Sequence, residues 1–123
     1  MLDLSFALLL MAALIGLALA TLHLQAGRMR PLRWPVWGAH GLLGGAGFIV
    51  LLFCLGGPPR GAAMGLAGFG RAAALLLGLT LLAGLEMLFE RLRYRRMPIL
   101  VVGLHATLGI GAVIILAAYT LVG

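Results

Sequence analysis

The sequence predicts an all-α integral membrane protein, a four-helix bundle whose helices run up-down-up-down. Its 123 residues are 63% hydrophobic and 10% charged, with a mean hydropathy of +1.17. In a soluble globular protein roughly a quarter of the residues are charged. Four apolar segments, residues 4–24, 36–55, 72–89 and 99–122, are each near the ~20 residues that cross ~30 Å of hydrocarbon. We expect residues 1–123 to form one transmembrane domain without a soluble catalytic module.

Each segment has its own boundary signals. The first begins within Met-Leu-Asp-Leu-Ser, which has no basic residue and no clear small-residue cleavage site, so we expect a retained span rather than a signal peptide. The start of the second is marked by Trp34, Pro35 and Trp37. Tryptophan favours the membrane interface, and proline favours the first helical turn. The glycine-rich stretch 61–70 before the third segment is compatible with a helix extension or a loop. The fourth follows Pro98.

The basic residues predict the topology. All nine are arginines, which is typical of a GC-rich bacterial genome, and the net charge is +6. The first and third connections, residues 25–35 and 90–98, carry seven of the nine. The positive-inside rule therefore places these connections in the cytoplasm and both termini in the periplasm of a bacterial inner membrane. Arginines so placed contact lipid headgroups, and we expect no nucleic-acid partner. The single Cys54 excludes an internal disulfide and covalent c-type haem attachment.

Two histidines inside apolar segments open the same short pattern. Each has small residues four and seven positions later: Gly44 and Gly47 after His40, Gly109 and Ala112 after His105. On a helix these positions share one face. A polar side chain inside a membrane is costly, so an intramembrane histidine is a functional hypothesis by default. An imidazole beside a groove of small residues suits a flat, bulky cofactor.

The predicted topology brings the two histidines together. His40 lies roughly 6–8 Å and His105 roughly 10 Å inside the cytoplasmic boundary, at 1.5 Å of rise per residue. The second and fourth spans run parallel, so we expect these side chains to meet across the bundle diagonal. They stand 65 residues apart at matching places in a faint parallel repeat of two helical hairpins.

A haem b fits this arrangement. Two neutral imidazoles on facing helices form a low-spin electron-transfer centre with haem iron, and helix bundles commonly build such sites. We therefore predict His40 and His105 as the metal ligands, with the small residues of both patterns against the macrocycle. Its propionates would face the cytoplasmic arginines, of which Arg33 and Arg95 are the predicted contacts.

In its four-span layout and its two His-x3-Gly elements, the chain resembles the small four-helix membrane b-type cytochromes of the cytochrome b561 kind. The resemblance implies a single haem b, electron exchange with quinone or a partner redox subunit, and a bacterial inner membrane. Many members carry two haems and four histidine ligands. This chain has three histidines, so one copy cannot complete a second bis-histidine haem.

Two further polar residues are candidates for a secondary role. His23, at the end of the first span, is an alternative ligand, a quinone or proton contact, or an interfacial histidine. Glu86 shares a helix face with Glu90, and is either part of an interfacial strip or a proton carrier near a quinone site. All three histidines could instead hold copper or zinc.

A second class of protein fits the same residues. Small residues at four-residue spacing also occur in ordinary membrane helix packing. The alternative is therefore a non-catalytic accessory subunit of a larger respiratory or photosynthetic complex, in which one histidine could ligate a bacteriochlorophyll. The sequence has no nucleophile arrangement, phosphate loop or paired carboxylates, which favours an electron carrier or a subunit over a stand-alone enzyme. The expected partners are the lipid bilayer and a larger complex or further copies of the chain.

Overall fold

The computed structural model of this protein describes residues 1–25, 34–93 and 98–121. These residues form four long helices, and the described part of the chain contains no strand. The helices are α1 (Leu2–Gln25), α2 (Trp34–Cys54), α3 (Phe69–Leu92) and α4 (Ile99–Leu121). Each is long and apolar enough to cross a membrane. The predicted all-α four-helix class is confirmed, and the chain is a multi-pass membrane protein.

The bundle is built from two antiparallel hairpins. The most extensive contacts join α1 to α2 and α3 to α4, while smaller contacts of α1 with α4 and of α2 with α3 close the bundle. The helices α2 and α4 therefore lie diagonally opposite each other and run in the same direction. Their outward faces carry exposed leucine, isoleucine and phenylalanine side chains, including Leu42, Phe53 and Ile114. Such a surface is suited to lipid rather than water.

The glycine-rich stretch before α3 is a loop rather than a helix extension. A short 3-10 helix, Ala62–Met64, lies between Gly61 and Gly65, whose φ angles are 65° and 74°. Glycine adopts this left-handed conformation without the strain that a Cβ would add. The long helix α3 then begins at Phe69, three residues before the apolar segment predicted from the sequence.

At its other end α3 extends beyond the predicted segment to Leu92. Glu90 and Arg91 therefore lie on the last helical turns instead of in the connection. Glutamate, arginine and leucine are good helix formers. An arginine in the last turn also interacts favourably with the helix dipole. The extension fixes Arg91 on a helix, where it reaches the interior cavity described below.

The apolar core fills only one half of the bundle. It lies where α1 and α3 begin and α2 and α4 end, and consists of Leu2, Leu9, Leu51, Ala73, Ala74, Leu77, Ala112, Val113, Leu116 and Tyr119. At this end the Tyr119 hydroxyl accepts a hydrogen bond from the Arg60 backbone N–H at 3.2 Å. The other half contains the histidines and many glycines and alanines, so the bundle is closed at one end and open inside at the other.

Ser5 makes a buried polar contact between α1 and α2. Its side chain is fully buried, and its Oγ donates to the Gly47 carbonyl at 2.8 Å. Ser5→Ala should lower the free energy of unfolding by about 0.5–1.5 kcal/mol, because the buried carbonyl loses its second hydrogen bond. Unfolding in a mixed detergent titration measures this.

Thr107→Ala is the matched control for this substitution. The exposed Thr107 hydroxyl donates to the Gly103 carbonyl of its own helix at 2.9 Å, so its removal breaks no contact between helices. Equal destabilisation by the two variants would contradict the interhelical role of Ser5.

Candidate functional site

His40 and His105 meet inside the open half of the bundle. Their ring centroids are 5.8 Å apart, and the ring planes are inclined by 70°. Both side chains are partly buried. They come from the diagonally opposite helices α2 and α4, so the meeting predicted from the topology is confirmed.

Each imidazole is held by a backbone carbonyl of the preceding helix. His40 Nδ1 lies 2.8 Å from the Ala12 oxygen, and His105 Nδ1 lies 2.9 Å from the Thr80 oxygen. A carbonyl oxygen can only accept, so Nδ1 carries the proton in both rings, and in the neutral ring Nε2 keeps its lone pair. Metal-ligating histidines typically donate one ring N–H to a carbonyl or carboxylate and bind the metal through the other nitrogen. Both rings are therefore prepared to ligate through Nε2.

A glycine four residues after each of these carbonyls makes room for the ring. A Cβ on Gly16 would lie 2.7 Å from His40 Cε1, and one on Gly84 would lie 3.1 Å from His105 Cε1. Positions four residues apart share a helix face, so each ring rests against one carbonyl and one bare stretch of backbone. We call these the histidine seats: Ala12 with Gly16 on α1, and Thr80 with Gly84 on α3.

The histidine seats were not predicted from the sequence. The Thr80 hydroxyl donates to the Leu76 carbonyl of its own helix at 2.8 Å, and its role at the site comes from its backbone oxygen. The available signal was the repeat: a small residue or threonine four positions before a glycine recurs in the first and third spans. Donor and acceptor are 28 residues apart in the first hairpin and 25 in the second, so the same contact is made twice.

A cavity of about 500 Å³ surrounds the histidine pair and is walled by all four helices. Cofactor and ligand pockets usually measure about 300–1,000 Å³. Along α1 the lining runs from Leu9 to His23, which is about 21 Å at 1.5 Å per residue. The wall is mostly leucine, alanine and glycine, and no Asp or Glu is among the described residues that line it.

The small residues of the two histidine patterns divide between the cavity and the core. Gly44 and Gly109 line the cavity. Gly47 instead faces α1, where a Cβ would lie 2.7 Å from Leu9 Cγ. Ala112 is fully buried in the apolar core. Close helix packing therefore accounts for Gly47 and Ala112, and neither contacts the cavity.

The remaining predicted residues have different placements. His23 lines the cavity but is exposed, whereas Glu86 is exposed on α3 and is not among the lining residues. Arg33 and Arg95 lie outside the described residues. Within the described ranges, no group of three or more His, Cys, Asp and Glu side chains could hold a metal ion. That finding argues against a three-histidine copper or zinc site.

Trp37, on the first turn of α2, and Arg91, on the last turn of α3, line the end of the cavity away from the apolar core, which we call its outer end. The Arg91 guanidinium carbon lies 5.4 Å from the centroid of the Trp37 ring, within the range of a cation–π contact. The Trp37 Nε1 atom is buried and has no hydrogen-bond partner among the described residues. The sequence predicts Trp37 at the membrane interface, whereas the structure places it in the wall of the cavity.

Comparison with known proteins yields no match: no protein-family model, no curated protein and no solved structure matches this chain. The function must therefore be argued from the histidine pair, the two seats that hold it and the cavity around it.

Proposed function

We propose that this chain is a membrane electron-transfer protein that binds one haem b between α2 and α4, with His40 and His105 as axial ligands. The observation that carries the proposal is the matched pair of hydrogen bonds from Nδ1 to backbone carbonyls. If the two histidines served only as packing contacts, each could donate to a different kind of acceptor on a neighbouring helix. Here the same seat is built twice, and it directs both rings from opposite helices into one cavity.

The dimensions of the site support this cofactor. Two imidazoles on opposite sides of one metal ion have ring centres roughly 6 Å apart, given metal–nitrogen bonds of about 2.0–2.1 Å. The observed separation is 5.8 Å. The donor set is two imidazoles, with no carboxylate among the described lining residues. Bis-imidazole coordination favours a low-spin haem iron rather than a hard or catalytic metal ion.

The residues of the chain would bind haem b, orient its two imidazole ligands and shield it from water. Haem b held by two imidazoles supplies reversible one-electron transfer. The carbonyls of the two seats fix the ring orientations and keep the proton on Nδ1. This leaves the lone pair on Nε2 and makes that nitrogen a more basic ligand for the iron. Leu9, Leu77 and Val113 close the deep end of the cavity and exclude water there. With both axial positions taken by protein, the site suits electron transfer rather than turnover of a bound substrate.

We further propose that electrons are exchanged at the outer end of the cavity, with quinone or a partner redox subunit. The apolar core closes the opposite end, so a haem held by the two histidines would come nearest the surface at Trp37 and Arg91. This is the end of the arginine-rich connections, which the positive-inside rule assigns to the cytoplasmic side of a bacterial inner membrane.

A reduced-minus-oxidised optical spectrum tests the proposal. Protein expressed with an adequate haem supply and purified in mild detergent should show a b-type Soret band and α-band, with one haem per chain by pyridine haemochrome assay. A helical but colourless protein would contradict it. Such a protein, purified together with larger subunits, would favour the accessory role, and near-infrared absorption would identify bacteriochlorophyll.

A further inference from the structure

We infer that Trp37 and Arg91 form a carboxylate-binding site at the outer end of the cavity, which receives an acidic group of the cavity's occupant. The inference rests on the proposed function, because it names the residues that would orient haem b by its propionates. From the sequence alone, the predicted propionate contacts are Arg33 and Arg95, which lie outside the described residues. Among the described residues, two hydrogen-bond donors lie on the helices at this end of the cavity: Trp37 on α2 and Arg91 on α3.

Trp37 supplies an unused hydrogen-bond donor. An indole has one N–H and no acceptor. Here that nitrogen is buried without a partner among the described residues, while the ring lines the cavity. Native structures rarely leave a buried donor unpaired, because its desolvation is not compensated. An acceptor oxygen brought by a ligand in the cavity would satisfy it after a small shift of the side chains around it.

Arg91 supplies positive charge beside this donor. Its guanidinium lies over the Trp37 ring at 5.4 Å and lines the same cavity. A guanidinium has five N–H donors in one plane, so it can stack on an aromatic ring and still present its edge to a carboxylate. Position 91 is seven residues beyond Gly84 on α3, about 10 Å along the helix axis. The site is therefore displaced from the histidines toward the outer end, where the acid groups at the edge of a tetrapyrrole would lie.

The apolar wall and the two donors at the outer end together favour a ligand that is mostly apolar and carries a negative charge at one edge. The wall between the histidines and the outer end consists mainly of leucine, alanine and glycine. The donors at the outer end are one neutral N–H and one cation, and the described lining of the cavity contains no Asp or Glu. Charge-assisted hydrogen bonds are roughly twice as strong as neutral ones. An amphiphile with carboxylates at one edge satisfies both regions.

Esterification of the ligand's acids gives a direct test. Haem and haem dimethyl ester are titrated into the full-length apoprotein in detergent, and the two dissociation constants are compared. The unsubstituted protein should bind haem at least about tenfold more tightly than the ester, because the ester loses charge-assisted hydrogen bonds. Trp37→Phe keeps an aromatic ring and removes the N–H, whereas Arg91→Gln removes the charge. Each should bring this ratio toward one.

Arg71→Gln is the matched control. Arg71 lies near the other end of α3 and does not line the cavity around the histidines, so its loss should leave the ratio unchanged. If Trp37→Phe does not fold, as judged by circular dichroism, Arg91→Gln carries the test alone. A preference for haem that persists in every folded variant would overturn the assignment of the carboxylate site to these residues.

The outcomes separate this inference from the proposed function. If haem gives a bis-imidazole spectrum but binds no better than its ester, the carboxylate site is wrong and the haem proposal stands. If haem gives no such spectrum, yet iron-free protoporphyrin binds more tightly than its own dimethyl ester, the haem proposal is wrong and the carboxylate site stands. If none of the four compounds binds, both the haem proposal and the carboxylate site are wrong.

Discussion

Replacing His40 or His105 with alanine will abolish the six-coordinate, low-spin spectrum that the proposed haem b would give. Each variant leaves one axial position without a protein ligand, so we expect a shifted Soret band and a weakened α-band. Haem should bind at least about 100-fold more weakly, because loss of only an outer hydrogen-bond partner of a metal ligand already costs about 10–100-fold. Optical titration of the detergent-solubilised apoprotein measures both effects.

Free imidazole distinguishes loss of a ligand from loss of the fold. His105→Ala leaves a space the size of the ring, still bounded by the Thr80 carbonyl that held it. Added imidazole should occupy this space and restore the six-coordinate spectrum. His23→Ala is the matched control, because His23 is exposed where it lines the cavity. Loss of the spectrum in His23→Ala with retention in His105→Ala would show that the axial pair is misassigned.

Gly16→Ala will disturb the site more than Gly84→Ala. The new Cβ at position 16 would lie 2.7 Å from His40 Cε1, whereas that at position 84 would lie 3.1 Å from His105 Cε1. The first contact forces the imidazole to move, and the second requires only a few tenths of an ångström. Overpacking of this kind costs about 1–3 kcal/mol, so Gly16→Ala should weaken haem binding about 5- to 150-fold. Gly84→Ala should have a smaller effect.

Gly45 of α2 provides the control for this pair, because it does not line the cavity. A Cβ on Gly45 would meet nothing within 4 Å. Gly45→Ala should therefore leave the spectrum and haem affinity unchanged, and should not lower stability, because alanine has the higher helix propensity. If this variant weakened haem binding as much as Gly16→Ala, the seats would not be the reason that glycine is required.

The fold and the meeting of the histidines follow from sequence because both depend on length, hydropathy and connection length. Four apolar spans joined by short connections must alternate in direction, so the second and fourth run parallel. His40 and His105 lie at similar depths from the same end, and diagonal helices of a small bundle bring such side chains together. Their meeting therefore does not depend on the details of side-chain packing.

The seats do not follow from sequence in the same way. Which carbonyl an imidazole reaches depends on the rotation of α1 and α3 about their axes, and the packing of the whole bundle sets that rotation. Helical periodicity places Gly44 on the face of His40, and the structure shows Gly44 in the wall of the cavity. It also placed Gly47 on the same face, but seven residues are about 10 Å of helix, and at that depth α2 packs against Leu9 of α1.

Trp37 shows a similar limit. Tryptophan prefers the membrane interface, and this preference accounts for Trp34, which is 73% exposed. Trp37 is three residues further along α2 and turns inward, where Arg91 covers it. That contact exists because α3 continues past its apolar segment, and hydropathy alone does not mark this continuation.

The low-temperature electron paramagnetic resonance spectrum of the oxidised protein reports directly on ligation of haem iron by His40 and His105. We predict the low-spin ferric signal of bis-imidazole coordination, integrating to one haem per chain. The signal should be lost in His40→Ala and in His105→Ala and retained in His23→Ala. A folded, haem-supplied protein that gives a high-spin signal, or no haem signal, would contradict the account.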